Sequence, residues 1–160
     1  MISPNSKTSK RIIRIILFIL IFIWCFGFLS PIFYSLDHFT VITYPFTKKI
    51  YSIVCHQINK KSFTINGEKL LVCARCTGIY LGALSASFIS IFYFPDEIKG
   101  TELFLISLIF ILTDVLLTTA GVYHYSKYLA MATGSFFGSV SFVYILNVVE
   151  NNLLIRKNGN

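Results

Sequence analysis

The chain has 160 residues, of which 55% are hydrophobic and only 13% are charged. Soluble domains are about 45–50% apolar and about 25% charged, and disordered chains are less apolar still, so both classes are excluded. The length leaves room for one domain. A net charge of +7 would suit nucleic acid, but the basic residues flank apolar runs, as in membrane proteins. We therefore expect a lipid bilayer as the partner and no nucleic acid.

Four apolar runs predict an all-α membrane protein, a bundle of about four transmembrane helices. Each run has about the 20 residues that cross the hydrocarbon core. The predicted helices cover about 15–34, 71–94, 103–122 and 129–149. Together they form a single transmembrane domain, 15–149, between a basic N-terminal tail, 1–14, and a C-terminal tail, 150–160. An uncleaved anchor is favoured over a signal peptide for the first run, because its apolar core is long and no small-residue cleavage site follows.

The segment between the first two runs, 35–70, is too interrupted to span a membrane. Pro45, Lys48 and Lys49 break its apolar pieces, so we predict an interfacial or re-entrant segment that rests on the helices. Asn66-Gly67 then lies among alternating polar and apolar residues, which favours the tight turn of a small hairpin.

The distribution of basic residues gives only a weak signal for topology. With the N-terminus inside, seven basic residues lie inside and six outside, and Arg75 lies at the boundary. The four charges before the first helix usually dominate orientation. We therefore expect both termini on the cytoplasmic side.

Two spanning runs contain the same small-residue motif. Residues 74–85 and 130–141 both contain Thr-Gly-x-x-x-Gly. The glycines of the two motifs are Gly78, Gly82, Gly134 and Gly138. Glycines four apart lie on one helix face and let two backbones approach closely. This pattern predicts helix packing, either through a duplicated element or through ordinary small-residue contacts. The second copy has no equivalent of Arg75 or Cys76.

Cysteine and histidine concentrate before and at the start of the second run. Cys55 and His56 precede a Cys-x-x-Cys motif formed by Cys73 and Cys76. Thiolate and imidazole are the usual ligands of zinc and other transition metals, and a helix start favours thiolate. Because adjacent side chains point apart, we expect one of the Cys55–His56 pair to join the motif. A fourth position would hold water, substrate or His124. A dithiol/disulfide redox pair and plain packing cysteines are the alternatives.

Only two charged residues lie within the spanning runs, Arg75 and Asp114. Charges in lipid usually find partners, so we predict an intramembrane ion pair; the alternative is a snorkelling arginine beside a protonated carboxyl.

The segment leading to the cysteines is rich in lysine. Such residues attract anionic lipid headgroups or a small anionic substrate, although ordinary interfacial lysines are the simpler interpretation. These lysines are Lys48, Lys49, Lys60, Lys61 and Lys69.

Two segments, CHQINKKSF (55–63) and VCARCTGIYLG (72–82), resemble the signature of the small prokaryotic membrane proteins called domain of unknown function 2085. The matching residues are Cys55, His56, Gln57, Lys61, Ser62, Phe63, Cys73, Arg75, Cys76, Gly78, Tyr80 and Gly82. The family usually has Arg at the position of Lys61. A later family block resembles 111–138 through Asp114 and Thr133-Gly134, but its Arg is missing here. The resemblance covers roughly 50–140 and implies a multi-pass protein of the prokaryotic cytoplasmic membrane with a Cys/His site. It implies no established activity.

These observations lead to one main hypothesis and two alternatives. The main hypothesis is an integral membrane protein with a Cys/His metal site at one membrane face, binding zinc or another transition metal. The first alternative is a membrane thiol-disulfide oxidoreductase using Cys73 and Cys76, and the second is a small transporter using Asp114. Enzymatic activity and a homo-oligomeric state are left open.

Overall fold

The computed structural model describes residues 4–33, 39–57, 61–65, 67–93, 100–122 and 124–158. In these ranges the chain forms five helices and one antiparallel hairpin. The elements are α1 (Pro4–Phe33), α2 (Phe39–Val54), β1 (Ser62–Ile65), β2 (Glu68–Cys73), α3 (Ala74–Phe92), α4 (Gly100–Thr119) and α5 (Lys127–Asn158). Four helices are long and apolar enough to cross a membrane, over Thr8–Ile32, Ala74–Phe92, Gly100–Thr119 and Lys127–Asn152. The predicted all-α bundle is confirmed.

Two helices extend beyond the apolar runs that predict them. Helix α1 begins at Pro4 and α5 ends at Asn158, whereas the runs suggested 15 and 149. An apolar run marks only the part of a helix that lies in lipid. Lysine and arginine favour helix, so the flanking residues continue it into the polar region.

The second run also differs at its start, because residues 71–73 belong to strand β2. Leu71 and Val72 are buried in a core that includes Cys25 and Phe28 of α1. Hydrophobicity alone does not separate a short buried strand from the first turn of a helix. The helix therefore begins only at Ala74.

The hairpin has the turn that the sequence suggests, as far as the structure describes it. Thr64 pairs with Lys69 and Ile65 with Glu68, and Gly67 has the positive φ of 85° that a tight turn requires. Asn66, and with it Lys60 further upstream, lies outside the described residues. The hairpin closes the same end of the bundle at which α3 begins.

Helices α3 and α5 lie in backbone contact through their glycines. A Cβ at Gly78 would collide with the carbonyl oxygen of Met131, and a Cβ at Gly134 would collide with that of Arg75. Residue 78 and residue 134 have the same position in the repeated motif, and so do 75 and 131. The contact is therefore reciprocal, as a twofold axis parallel to the two helices would make it. Both a duplicated element and ordinary small-residue packing of two such motifs produce this reciprocal contact.

The end of the bundle away from the hairpin contains a buried ionic network. Arg14 donates from Nε and Nη2 to both carboxylate oxygens of Glu150, at 2.7 and 3.0 Å, and from Nη1 to the carbonyl of Ser90 at 3.1 Å. Lys10 Nζ lies 3.6 Å from the same carboxylate, which is only 3% exposed. The network joins α1, α3 and α5. The sequence alone predicts Glu150 as the first residue of the C-terminal tail, because the last apolar run ends at 149.

Replacing Glu150 with glutamine should lower the free energy of unfolding by about 2–3 kcal/mol, because Arg14 then loses its charged partner in a buried position. Unfolding of the purified protein in mixed micelles, with increasing dodecyl sulfate, measures this. The matched control is Glu102→Gln, because Glu102 is an exposed glutamate in the first turn of α4. The control should change stability by less than about 0.5 kcal/mol. Equal effects of the two substitutions would contradict a stabilising network.

Candidate metal centre

Three cysteine side chains from three parts of the chain meet at the hairpin end of the bundle. Cys55 follows α2, Cys73 ends β2, and Cys76 lies in the first turn of α3. Their sulfur atoms all lie within 4.8 Å of one another. Zinc–sulfur bonds are about 2.3 Å long, so thiolates on one tetrahedral ion are roughly 3.8 Å apart. Small side-chain adjustments would therefore let the three sulfurs bind one ion.

Cys55 is held in this group by an anchor one helical turn before it. The Tyr51 hydroxyl donates to the carbonyl oxygen of Trp24 at 2.7 Å, and the Tyr51 side chain is 4% exposed. Gly27 makes this possible, because a Cβ there would collide with the Tyr51 hydroxyl. The Cys55 N–H then donates to the Tyr51 carbonyl at 3.0 Å. Docking of α2 on α1 thus fixes the position of Cys55.

The local electrostatics favour negative charge on sulfur. The Cys73 N–H donates to Cys55 Sγ at 3.2 Å, and Cys73 is the N-cap of α3, where the helix dipole stabilises anions. Hydrogen bonds from the Cys73 and Cys76 thiols lower the pKa of Cys55, against the opposing effect of burial. When the three cysteines lose one proton, the resulting thiolate therefore accepts hydrogen bonds from several donors. All four cysteines of the chain are free thiols.

Two histidines expected near the site lie outside this group. His56 is exposed and is not among the clustered side chains, so Cys55 alone represents the Cys-His pair. The reason is local: Gln57 has φ 48° and donates to the Lys48 carbonyl at 2.9 Å, which turns the chain back after Cys55. His124 is also exposed. Among the described residues, the side chains that lie together are therefore the three cysteines.

The two intramembrane charges lie together, at the end of the bundle where α3 begins. Arg75 donates from Nη2 to Asp114 Oδ2, and Thr133 Oγ lies 3.5 Å from the same oxygen. The Asp114 side chain is 6% exposed. These contacts join α3, α4 and α5, and Arg75 lies between Cys73 and Cys76 in sequence. The ion pair thus braces the bundle at the level of the site.

Sequence reasoning missed Tyr125, which lies in the connection between α4 and α5. Its hydroxyl is buried and, within the described residues, has no hydrogen-bond partner. Lys61 Nζ lies 5.1 Å from its ring centroid. Burial raises the pKa of Tyr125 to about 12, and the negative charge of Cys73 adds to this effect. The available signal was an aromatic residue in a short polar loop at the cysteine end of the bundle.

Comparison with known proteins decides the family. The model of a family described as predicted membrane proteins (DUF2085) matches residues 55–144, more than half of the chain. The chain belongs to the DUF2085 family. Membership was predicted from the cysteine signature and is confirmed. The DUF2085 segment begins at Cys55 and includes the other two cysteines, the ion pair and Tyr125.

Two relatives of this DUF2085 protein align over part of their length. An uncharacterized protein of Methanocaldococcus jannaschii is 57% identical over 35 residues, which are 22% of this chain and 22% of the relative. An uncharacterized protein of Methanothermobacter thermautotrophicus is 36% identical over 62 residues, 39% of this chain and 55% of the relative. The chain thus matches no more than about half the length of either relative. No solved structure matches it.

Proposed function

We propose that this multi-pass membrane protein binds one zinc ion, or another transition metal ion that prefers sulfur, through Cys55, Cys73 and Cys76. The observation that carries the proposal is the convergence of three sulfurs within 4.8 Å from two separate chain segments, Cys55 and the Cys73-x-x-Cys76 motif. Packing alone would not require thiols at all three positions. The basic residues before the first span favour a site on the outer face of the prokaryotic cytoplasmic membrane.

The charges around the three cysteines suit a metal ion. A divalent ion with three thiolates carries a net charge of −1. The charge of Arg75 is balanced by Asp114. The N-terminus of α3 lies beside the cysteines and Lys61 lies near Tyr125, so these two positive groups offset that charge. Such compensation lets a charged centre lie at a membrane face without a large desolvation cost.

Three protein ligands leave one position of a tetrahedral ion for an exchangeable ligand. Structural zinc sites use four protein ligands, whereas catalytic sites use three and bind water or substrate at the fourth position. A metal ion there supplies Lewis-acid chemistry and lowers the pKa of bound water. The chain's own contribution is to hold the thiolates: Tyr51 positions Cys55, and the start of α3 positions Cys73 and Cys76.

Thiol-disulfide exchange by Cys73 and Cys76 is the second candidate function. Its support is the placement of Cys73 and Cys76 at a helix N-terminus beside Cys55, whose pKa is lowered. Transport by Asp114 has less support. An apolar cavity of about 430 Å³ between α4 and α5 does reach Asp114, but Arg75 already neutralises that carboxylate.

Metal content of the detergent-purified full chain tests the proposal. We expect about one metal ion per wild-type chain, and affinity at least about 100-fold lower in Cys55→Ser, Cys73→Ser and Cys76→Ser, because each removes one ligand. Elemental analysis and competition with a chromophoric chelator measure both quantities. Cys25→Ser is the matched control, because Cys25 is a buried cysteine that contacts the carbonyl of Tyr80 instead; it should bind metal as the wild type does.

The effect of a His56 substitution and the redox state of Cys73 and Cys76 separate the alternative functions. His56→Ala should leave metal affinity within about twofold, since this side chain is exposed. Metal-free wild type containing a reducible Cys73–Cys76 disulfide would overturn the metal proposal and support thiol exchange. Full metal affinity in Cys55→Ser would remove Cys55 from the ligand set.

A further inference from the structure

Two hydrogen-bond donors beside the cysteines have no acceptor within the described part of the chain. They are Arg75 Nε and the Tyr125 hydroxyl, and both atoms are buried. A buried donor without a partner costs about 1–3 kcal/mol, and most proteins supply an acceptor. Two such donors at this end of the bundle therefore point to an acceptor that the described residues do not provide.

Arg75 has one N–H group without an acceptor, because another N–H group of the same guanidinium already binds Asp114. Nη2 is bound to Asp114, which holds the guanidinium group in place and leaves Nε free. Arg75 is also the residue between Cys73 and Cys76. Arg75 lies in the first turn of α3, so a ligand that accepts a hydrogen bond from Nε would lie at the same end of the bundle as the sulfurs.

Tyr125 lies at the same end of the bundle, in the connection between α4 and α5. The connection that carries it packs on the hairpin, where the rings of Phe63 and Tyr128 lie 5.9 Å apart and Lys61 lies over the Tyr125 ring. The charges of Cys73 and Arg75 both act on its phenol group. With the pKa of Tyr125 raised to about 12, the hydroxyl keeps its proton at neutral pH and remains a donor.

We propose that Arg75 and Tyr125 bind a small anion, and that this anion occupies the fourth coordination position of the metal; the inference rests on the metal site proposed above. An arginine side chain can only donate hydrogen bonds, so an amine or other cationic ligand does not fit. Arg75 is paired with Asp114, so the positive charge that favours an anion is that of Lys61 over the Tyr125 ring. The ligand class is a small anion whose coordinating group also accepts hydrogen bonds, such as a carboxylate or hydroxide.

Cobalt substitution with azide as the probe anion tests this assignment. The protein is loaded with Co²⁺, whose absorption bands report its ligands, and azide is titrated at constant pH. We expect azide to shift the bands of the wild type. Tyr125→Phe removes only the hydroxyl, and should weaken azide binding about tenfold while Co²⁺ affinity stays within about twofold. Arg75→Lys keeps the charge but loses Nε, and should also weaken azide binding.

Tyr128→Phe is the matched control, because Tyr128 is 80% exposed and belongs to the same segment. It should bind azide as the wild type does. Failure of the wild type to bind Co²⁺ would overturn the metal site, and this inference with it. Co²⁺ binding without any azide effect, or with equal azide affinity in the wild type and Tyr125→Phe, would overturn this inference alone. A parallel loss of Co²⁺ affinity in Tyr125→Phe would assign Tyr125 a structural role instead.

Discussion

Replacing Gly138 with leucine should prevent α3 and α5 from packing and leave no stably folded bundle. A Cβ at this position collides with the carbonyl oxygen of Ile79, which is backbone and cannot rotate away. Gly138→Ala gains helix propensity, about 1 kcal/mol, yet should still lower the free energy of unfolding by about 3 kcal/mol, because overpacking outweighs that gain. Unfolding in mixed micelles measures the stability of the alanine variant. Size-exclusion chromatography shows whether the leucine variant still yields folded protein.

The reciprocal contact makes this prediction sharper. A Cβ at Gly82 would collide with the carbonyl oxygen of Ser135 in the same way. Gly82→Ala should therefore lower the free energy of unfolding about as much as Gly138→Ala does. Ala132→Leu is the control, since Ala132 is an exposed residue of the same helix; it should change stability by less than about 0.5 kcal/mol. Stability of Gly138→Ala at or above the wild-type value would exclude close backbone contact between the helices.

The architecture was predictable from sequence because the bilayer imposes it. Apolar runs of about 20 residues must form helices in lipid, since no water satisfies their backbone groups. Outside lipid this constraint disappears. The continuation of α1 back to Pro4 depends on helix propensity. The strand at 71–73 depends on packing and pairing, and hydrophobicity alone encodes neither feature.

The candidate site was only partly predictable, for a related reason. The Cys-x-x-Cys motif is local, so its spacing alone brings Cys73 and Cys76 close to each other. The choice of Cys55 over His56 depends on the Tyr51 contact with α1, which joins residues 27 positions apart. Tyr125 reaches the site through tertiary packing, which a single sequence does not reveal.

Asp114→Leu should lower the free energy of unfolding by about 3 kcal/mol, because it leaves the Arg75 guanidinium group without its anionic partner near the membrane. Arg75→Met should cost a similar amount by removing the cation that balances the Asp114 carboxylate. The double variant Arg75→Met/Asp114→Leu should recover most of the loss, since apolar residues of similar size often replace a buried ion pair at little cost. Unfolding in mixed micelles of all four proteins gives the coupling energy.

The exchanged pair, Arg75→Asp with Asp114→Arg, separates a direct contact from two independent effects. If the two charges stabilise each other across α3 and α4, the exchange should fold better than either of its single substitutions, which place like charges together. Strictly additive losses in both double variants would show that Arg75 and Asp114 do not interact. The exchange also moves the arginine away from the cysteines. Recovered stability without recovered azide binding would therefore separate bracing of the bundle from the anion contact proposed for Arg75.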